Sequence, residues 1–199
     1  MGIAARFQAV PEGCELLRRA RAEREVAEMM EFFDYYAHLE ARHNFPPEIT
    51  EFVACVESLV LVCPALPERH FYAGGQHWDK ILYLLSHARR TEDYANDQSL
   101  VRKAIRGCEP LHPEACATQG QPIGFVPAYE VHRIADYLDE VTYEQLYNYY
   151  DPHVMAQQGV YKVNSDVDER VYIWDEFTMM SNVYRAAADH NEAMIVVLD

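Results

Sequence analysis

The apolar positions of this chain change rhythm along its length, and each rhythm predicts an element. Residues 2–10 are mostly apolar and end at Pro11, which predicts a first strand. Glu12 to Arg24 reads as a surface helix whose narrow apolar edge is Leu16, Leu17 and Ala20. Val26, Met29, Met30, Phe33, Tyr36 and Ala37 then follow the i, i+3, i+4 spacing of a second helix, to about His43, which Pro46-Pro47 stops. A third helix is predicted from Glu48 to Val62, ending before Pro64. Pro64 to Gln76 reads as loop, with Gly74-Gly75 just ahead of an amphipathic helix from His77 to Arg90 that carries Trp78, Ile81, Leu82 and Leu85 at core spacing.

Beyond a polar connection at 91–99, Leu100 to Arg106 fits either strand or helix. Gly107 to Pro127, with three glycines and four prolines, reads mostly as loop. Val131, Ile134, Ala135 and Leu138 set the period of a helix from Ala128. Thr142 and Gln145 form a capping box for Tyr143 to Tyr150. Val160–Val163 and Val171–Ile173 look strand-like around the polar run Asn164 to Glu169. A last helix spans about Asp175 to His190, with Asn191 suited to a left-handed cap, and Ala193 to Leu198 forms the final strand. Strands at both ends with helices between them predict an α+β fold in one domain, 1–199: several helices on a small, mostly antiparallel sheet that includes both terminal strands.

Half of the 199 residues are hydrophobic and 12% are aromatic, enough for a full core. No apolar run approaches membrane-spanning length, and Met1 to Val10 lacks the h-region of an export signal, so a cytoplasmic protein is expected. Five cysteines with no C-x-x-C pair fit reduced thiols. The formal charge is −15, and residues 128–199 carry 14 acidic and 4 basic side chains. That field repels nucleic acid and anionic membranes and favours a basic protein or a cation.

Three blocks carry a resemblance along nearly the whole chain. They are Met1 to Val10, His77-Trp-Asp-Lys-Ile-Leu-Tyr-Leu-Leu85, and the stretch from Pro122 onward, with Pro122-Ile-Gly124, Pro127-Ala-Tyr129, Tyr149-Tyr-Asp-Pro-His153, Gly159-Val-Tyr161 and Ile173-Trp174. In their order and spacing they resemble the YfbM-like family of small bacterial proteins, a domain of unknown function. The resemblance implies a fold and no reaction.

Candidate chemistry is therefore weighed residue by residue. No G-x-S-x-G, H-E-x-x-H, P-loop or G-x-G-x-x-G occurs, and no cofactor is expected. Cys108, His112 and Cys116 make a C-x3-H-x3-C pattern that lacks a fourth zinc ligand, so no metal is expected there. Asn164, Asp166, Asp168 and Asp175 mimic a calcium loop without its glycine or its terminal Glu. His77, Trp78 and Asp79 open a helix after two glycines, where N–H groups can meet a ligand; Trp78 is equally a core anchor whose N–H needs one partner. Tyr129, His132, Asp151 and His153 are the residues from which an acid–base site would be built. Tyr143, Tyr147 and Tyr150 fall on one helix face, with Glu140, Glu144 and Asp151 around them and Trp174 in a neighbouring block. This pattern reads either as a half-buried packing face or as a recognition surface for a basic partner.

Three functions stand open on this reading. The leading one is a non-catalytic binding module using the acidic, tyrosine-rich surface, in an inhibitor or immunity-type role. The second is an enzyme or small-molecule binder with a pocket between the Gly74–Trp78 turn and the Tyr129–Asp151 region. The third is a structural homo-oligomer.

Overall fold

The first and last strands of the chain lie side by side at the centre of one sheet. In the computed structural model, which describes residues 2–31, 71–87 and 99–199, β1 (Ala5–Val10) pairs antiparallel with β5 (Ala193–Leu198) over its whole length, from Ala5 opposite Leu198 to Val10 opposite Ala193. β2 (Phe71–Ala73) adds outside β1. β4 (Gly124–Val126) adds outside β5, and β3 (Glu109–Pro110) outside β4. The order is β2-β1-β5-β4-β3, every pair antiparallel. The fold is α+β, with both terminal strands in the sheet.

The apolar run of β5 has a physical reason. Met194, Val196 and Leu198 face one core with Ala5, Phe7 and Ala9, while Ala193, Ile195 and Val197 face a second core with Val10 and Phe125. A strand covered on both faces keeps no polar alternation. The first core is closed by the helices α3 (Trp78–Leu85), α4 (Leu100–Arg106), α5 (Ala128–Asp139) and α8 (Arg170–Asp189), and the second by α1 (Glu15–Ala22) and α2 (Arg24–Met29). α6 (Tyr143–Tyr147) and α7 (Pro152–Gln157) contribute Leu146 and Met155 to the first core.

Local chemistry sets the helix limits. The Cys14 thiol accepts from the N–H of Leu17 and starts α1 three residues later than the charge pattern suggests; α2 follows at once, after Glu23 in an extended conformation. The predicted remainder of that helix beyond residue 31, the helix at 48–62 and the connection at 91–98 lie outside the described residues. Ser99 caps α4, which resolves the ambiguous segment as helix. The capping box of α6 is complete: Thr142 N–H donates to Gln145 (2.8 Å), and Gln145 N–H to the Thr142 hydroxyl (3.2 Å). Asp151 caps α7, with Pro152 in its first turn. Asn191 takes the left-handed conformation (φ 53°) just after α8.

Four expectations change. Val171–Ile173 is the first turn of α8, not a strand: Ile173 N–H donates to the carbonyl of Glu169 (3.0 Å), and Ile173 is fully buried. Tertiary burial here overrides β-branched preference. Val160–Val163 is a turn, because Gly159 and Lys162 have positive φ (69° and 49°) and no strand can run through them. Within the two predicted loops, residues 71–73, 109–110 and 124–126 are short strands. α3 is not amphipathic toward solvent; all eight of its residues are buried, Asp79 and Lys80 included.

Candidate functional site

Burying Asp79 and Lys80 requires partners, and those partners organise the first candidate region. Asp79 Oδ2 accepts the N–H of Tyr161 (2.8 Å). Lys80, 2% exposed, donates from Nζ to Glu169 Oε1 (2.7 Å). The same oxygen lies 3.5 Å from His77 Nε2, and on the other side of that ring Nδ1 lies 2.5 Å from Glu176 Oε1. The N–H of His77 also donates to Glu176 Oε2 (3.1 Å). A chain of polar contacts therefore runs Glu176–His77–Glu169–Lys80 and ties the start of α3 to the start of α8.

This arrangement explains Gly75. A Cβ there would fall directly onto the Glu176 carboxylate. The glycine and the N-terminal N–H of α3, which by sequence could meet a ligand, instead hold a carboxylate of the chain itself. Trp78 is a core anchor: its indole N–H donates to the carbonyl of Ile3 (3.1 Å), and its ring stacks on Tyr161 at 6.0 Å.

The second region is aromatic. Tyr143 meets Tyr147 edge to face (4.5 Å between centroids) and Trp174 (5.4 Å); Tyr147 meets Tyr150 (5.8 Å), and Trp174 stacks on Phe177 (5.4 Å). α6 stops at Tyr147, so Tyr150 reaches the group from the turn after the helix rather than from its face. The Tyr147 hydroxyl donates to the carbonyl of Arg170, and the Tyr150 hydroxyl accepts the N–H of Glu169 (3.0 Å). Burial raises both phenols above the ordinary tyrosine value; for Tyr150 the Glu169 N–H partly offsets this. Arg170 lies over the Tyr150 ring at 5.6 Å, and its hydrogen bonds hold the Asp168 carboxyl down to about 2.

One edge of the ring group meets water. Tyr143 is 39% exposed, and Val171 and Tyr172, in the first turn of α8, are 62% and 60% exposed. Glu144, Asp151, Asp166 and Asp175 are also exposed, and Asp151 spends one oxygen capping α7.

The predicted residues thus fall in three places. His77, Trp78 and Asp79 lie at the α3–α8 junction. Glu144, Tyr147, Tyr150, Asp151 and Trp174 lie on or beside the ring group, joined to that junction through Glu169. Tyr129, exposed, and His132, whose Nε2 lies 3.3 Å from Asn191 Oδ1, belong to the far end of α8. The 15 residues from Glu176 to Asn191 put them about 20 Å from His77 along the helix axis. Cys108 is half-buried and its thiol is pushed up to about 11, chiefly by burial. Among the described residues, no three His, Cys, Asp or Glu side chains gather as metal ligands.

Sequence reasoning missed Glu169 and Glu176 as members of the His77 network. They lie 92 and 99 positions from His77 in the chain, and the only local hint was the glycine pair preceding it.

The fold agrees with comparisons to known proteins. Residues 36–197 match the family described as a domain of unknown function, DUF1877, and the chain belongs to that family. Among solved structures, the protein of unknown function YfbM from Escherichia coli is similar in fold, with a TM-score of 0.55 at 10% sequence identity, covering 98% of this chain and 99% of that one. No curated protein matches the chain. Among the described residues no helix is long and apolar enough to cross a membrane.

Proposed function

We propose that this protein is a non-catalytic binding module that engages a basic protein partner through the acidic aromatic face of α6, Asp151 and the first turns of α8, in an inhibitor or immunity-type role. The observation that carries this reading is the continuous ring group from Tyr150 to Phe177, open to solvent at Tyr143, with exposed Val171 one helical turn before Trp174. Rings held by their neighbours lose little entropy on binding and supply the large contact area typical of interface hot spots. Glu144, Asp151 and Asp175, each next in the chain to a ring of this group, are exposed carboxylates, so negative charge borders the aromatic centre. Such a field speeds encounter with a basic partner and rejects acidic ones.

The His77 network supports the same reading. Each of its groups already faces another group of the chain, and Glu169 and Glu176, both on α8 or at its start, are the points where it braces the ring-bearing helix. Its role here is positioning.

The test is parallel capture from the native host's lysate, with the wild-type chain and with Tyr143→Ala, Val171→Asp and Glu144→Lys variants of native far-UV CD. A single basic protein retained by wild type, weakened by salt and lost from the variants is the expected result. Identical retention by wild type and variants overturns the assignment of this face. Salt-insensitive self-association seen by light scattering would instead point to the homo-oligomer.

A further inference from the structure

A cleft of about 250 Å³ opens where α4 ends against the start of β4. Its floor includes Val196 and Leu198, on the sheet face that α4 covers, and its wall carries Arg102 and Arg106, one helical turn apart. Two glycines let the backbones cross here. Gly107 has φ 81°, and a Cβ on it would lie 2.6 to 2.7 Å from the backbone of Phe125 and Gly124; a Cβ on Gly124 would strike the carbonyl of Arg106. No side chain from either position enters the cleft.

The composition of the helix that walls this cleft runs against the acidity of the whole chain. α4, Leu-Val-Arg-Lys-Ala-Ile-Arg, has three basic residues and no acidic one. Lys103 is tied to Glu130 (3.0 Å), and Glu109, which also lines the cleft, is engaged by Arg21 (2.8 Å). Arg102 Nη1 donates to the carbonyl of Gly107 (3.4 Å), and the Arg106 guanidinium lies 5.3 Å over the Trp78 ring. Both guanidinium groups are thus anchored before any ligand arrives.

We infer that this cleft binds a small organic anion, a carboxylate or phosphate on an apolar body, with Arg102 and Arg106 taking the anionic group and Val196, Leu198 and Pro122 the body. Guanidinium forks match both oxyanions. The volume equals roughly eight waters at about 30 Å³ each, which suits a single-ring molecule. The half-buried Cys108 thiol stays neutral at physiological pH, so it neither repels an anion nor attacks the ligand. The inference is independent of the binding face proposed above and involves none of its residues.

The test is an amide NMR titration of the full chain with benzoate and with phenyl phosphate, using benzyl alcohol as the neutral match. Saturable shifts at Gly107, Cys108 and Gly124 are expected with at least one anion and not with the alcohol, and the stronger anion identifies the preferred head group. Arg102→Gln and Arg106→Gln should weaken binding about tenfold or more, the worth of a charge-assisted hydrogen bond. Arg106 also packs on Trp78, so Arg102→Gln decides the matter if Arg106→Gln fails to fold. Absence of saturable shifts with both anions up to about 20 mM overturns the inference. So do equal shifts with benzyl alcohol, or unchanged affinity in a folded variant.

Discussion

Lys80→Met isolates the physical role of the Lys80–Glu169 ion pair between α3 and α8. Lys80 is 2% and Glu169 13% exposed, so solvent screens their 2.7 Å contact little. Methionine retains most of the apolar stem, and the substitution removes a charge without opening a void. Breaking a buried pair costs about 3–5 kcal/mol, because the surviving charge is left uncompensated. Here Glu169 keeps His77 Nε2 at 3.5 Å and the Asn164 N–H at 3.3 Å, which places the expected cost near the lower end, about 3 kcal/mol. For 199 residues, at about 2.1 cal/mol/K of unfolding entropy each, that lowers the melting temperature by about 7 °C. The assay is thermal and urea unfolding of wild type, Lys80→Met, Glu169→Gln and the double variant. The double variant contains neither stranded charge, so it should be about 2 kcal/mol more stable than the sum of the single losses predicts. Near-UV CD should change as well, since Glu169 precedes α8 and its N–H donates to the Tyr150 hydroxyl. A melting temperature within about 1 °C of wild type for Lys80→Met, or strict additivity in the cycle, would refute the reasoning.

Three further outcomes follow from the packing. Gly124→Ala, whose Cβ meets backbone, should cost about 3 kcal/mol or more, Gly75→Ala, whose Cβ meets the movable end of Glu176, about 1 kcal/mol, and Gly13→Ala, in open space, within about 0.5 kcal/mol; urea unfolding gives the order. Glu31 is buried, and burial holds its carboxyl above the ordinary value, helped by the nearby Asp199 carboxylate and opposed by hydrogen bonds from Thr118. The folded state thus binds its proton more tightly than the unfolded state does. Stability from this group is complete below the ordinary carboxyl value and lost as pH rises through the folded one. Glu31→Gln, which can still accept from Thr118, should therefore gain on wild type as pH rises, read by urea unfolding across about pH 4 to 8. Finally, iodoacetamide at mildly alkaline pH should label exposed Cys116 well before half-buried Cys108, as peptide mass spectrometry will show; equal labelling would contradict the Cys108 environment.

Much of the local architecture was legible along the chain. The capping box at Thr142 and Gln145, the core stripe Val131–Ile134–Ala135–Leu138 and the left-handed Asn191 all rest on interactions spanning a few residues, and all three are present. The last strand was readable because an unbroken apolar run is what double-sided burial demands, and the first because its mostly apolar stretch ends at Pro11. Val171–Ile173 misled because short β-branched runs suit strand and buried helix turn equally, and the choice was made by the core that Ile173 fills.

The chain by itself determined the capping box at Thr142, which stripes are apolar, the acidity of residues 128–199 and the presence of clustered tyrosines, because each is local or additive along the sequence. Only the tertiary structure decided that Trp174 joins the tyrosines, that Glu169 and Glu176 clasp His77, and that Arg102 and Arg106 share a cleft with Val196 and Leu198. These are contacts between segments many tens of residues apart. A side chain's partner at that distance is chosen by how the strands pair and the helices pack, and nothing in its own neighbourhood along the chain records the choice.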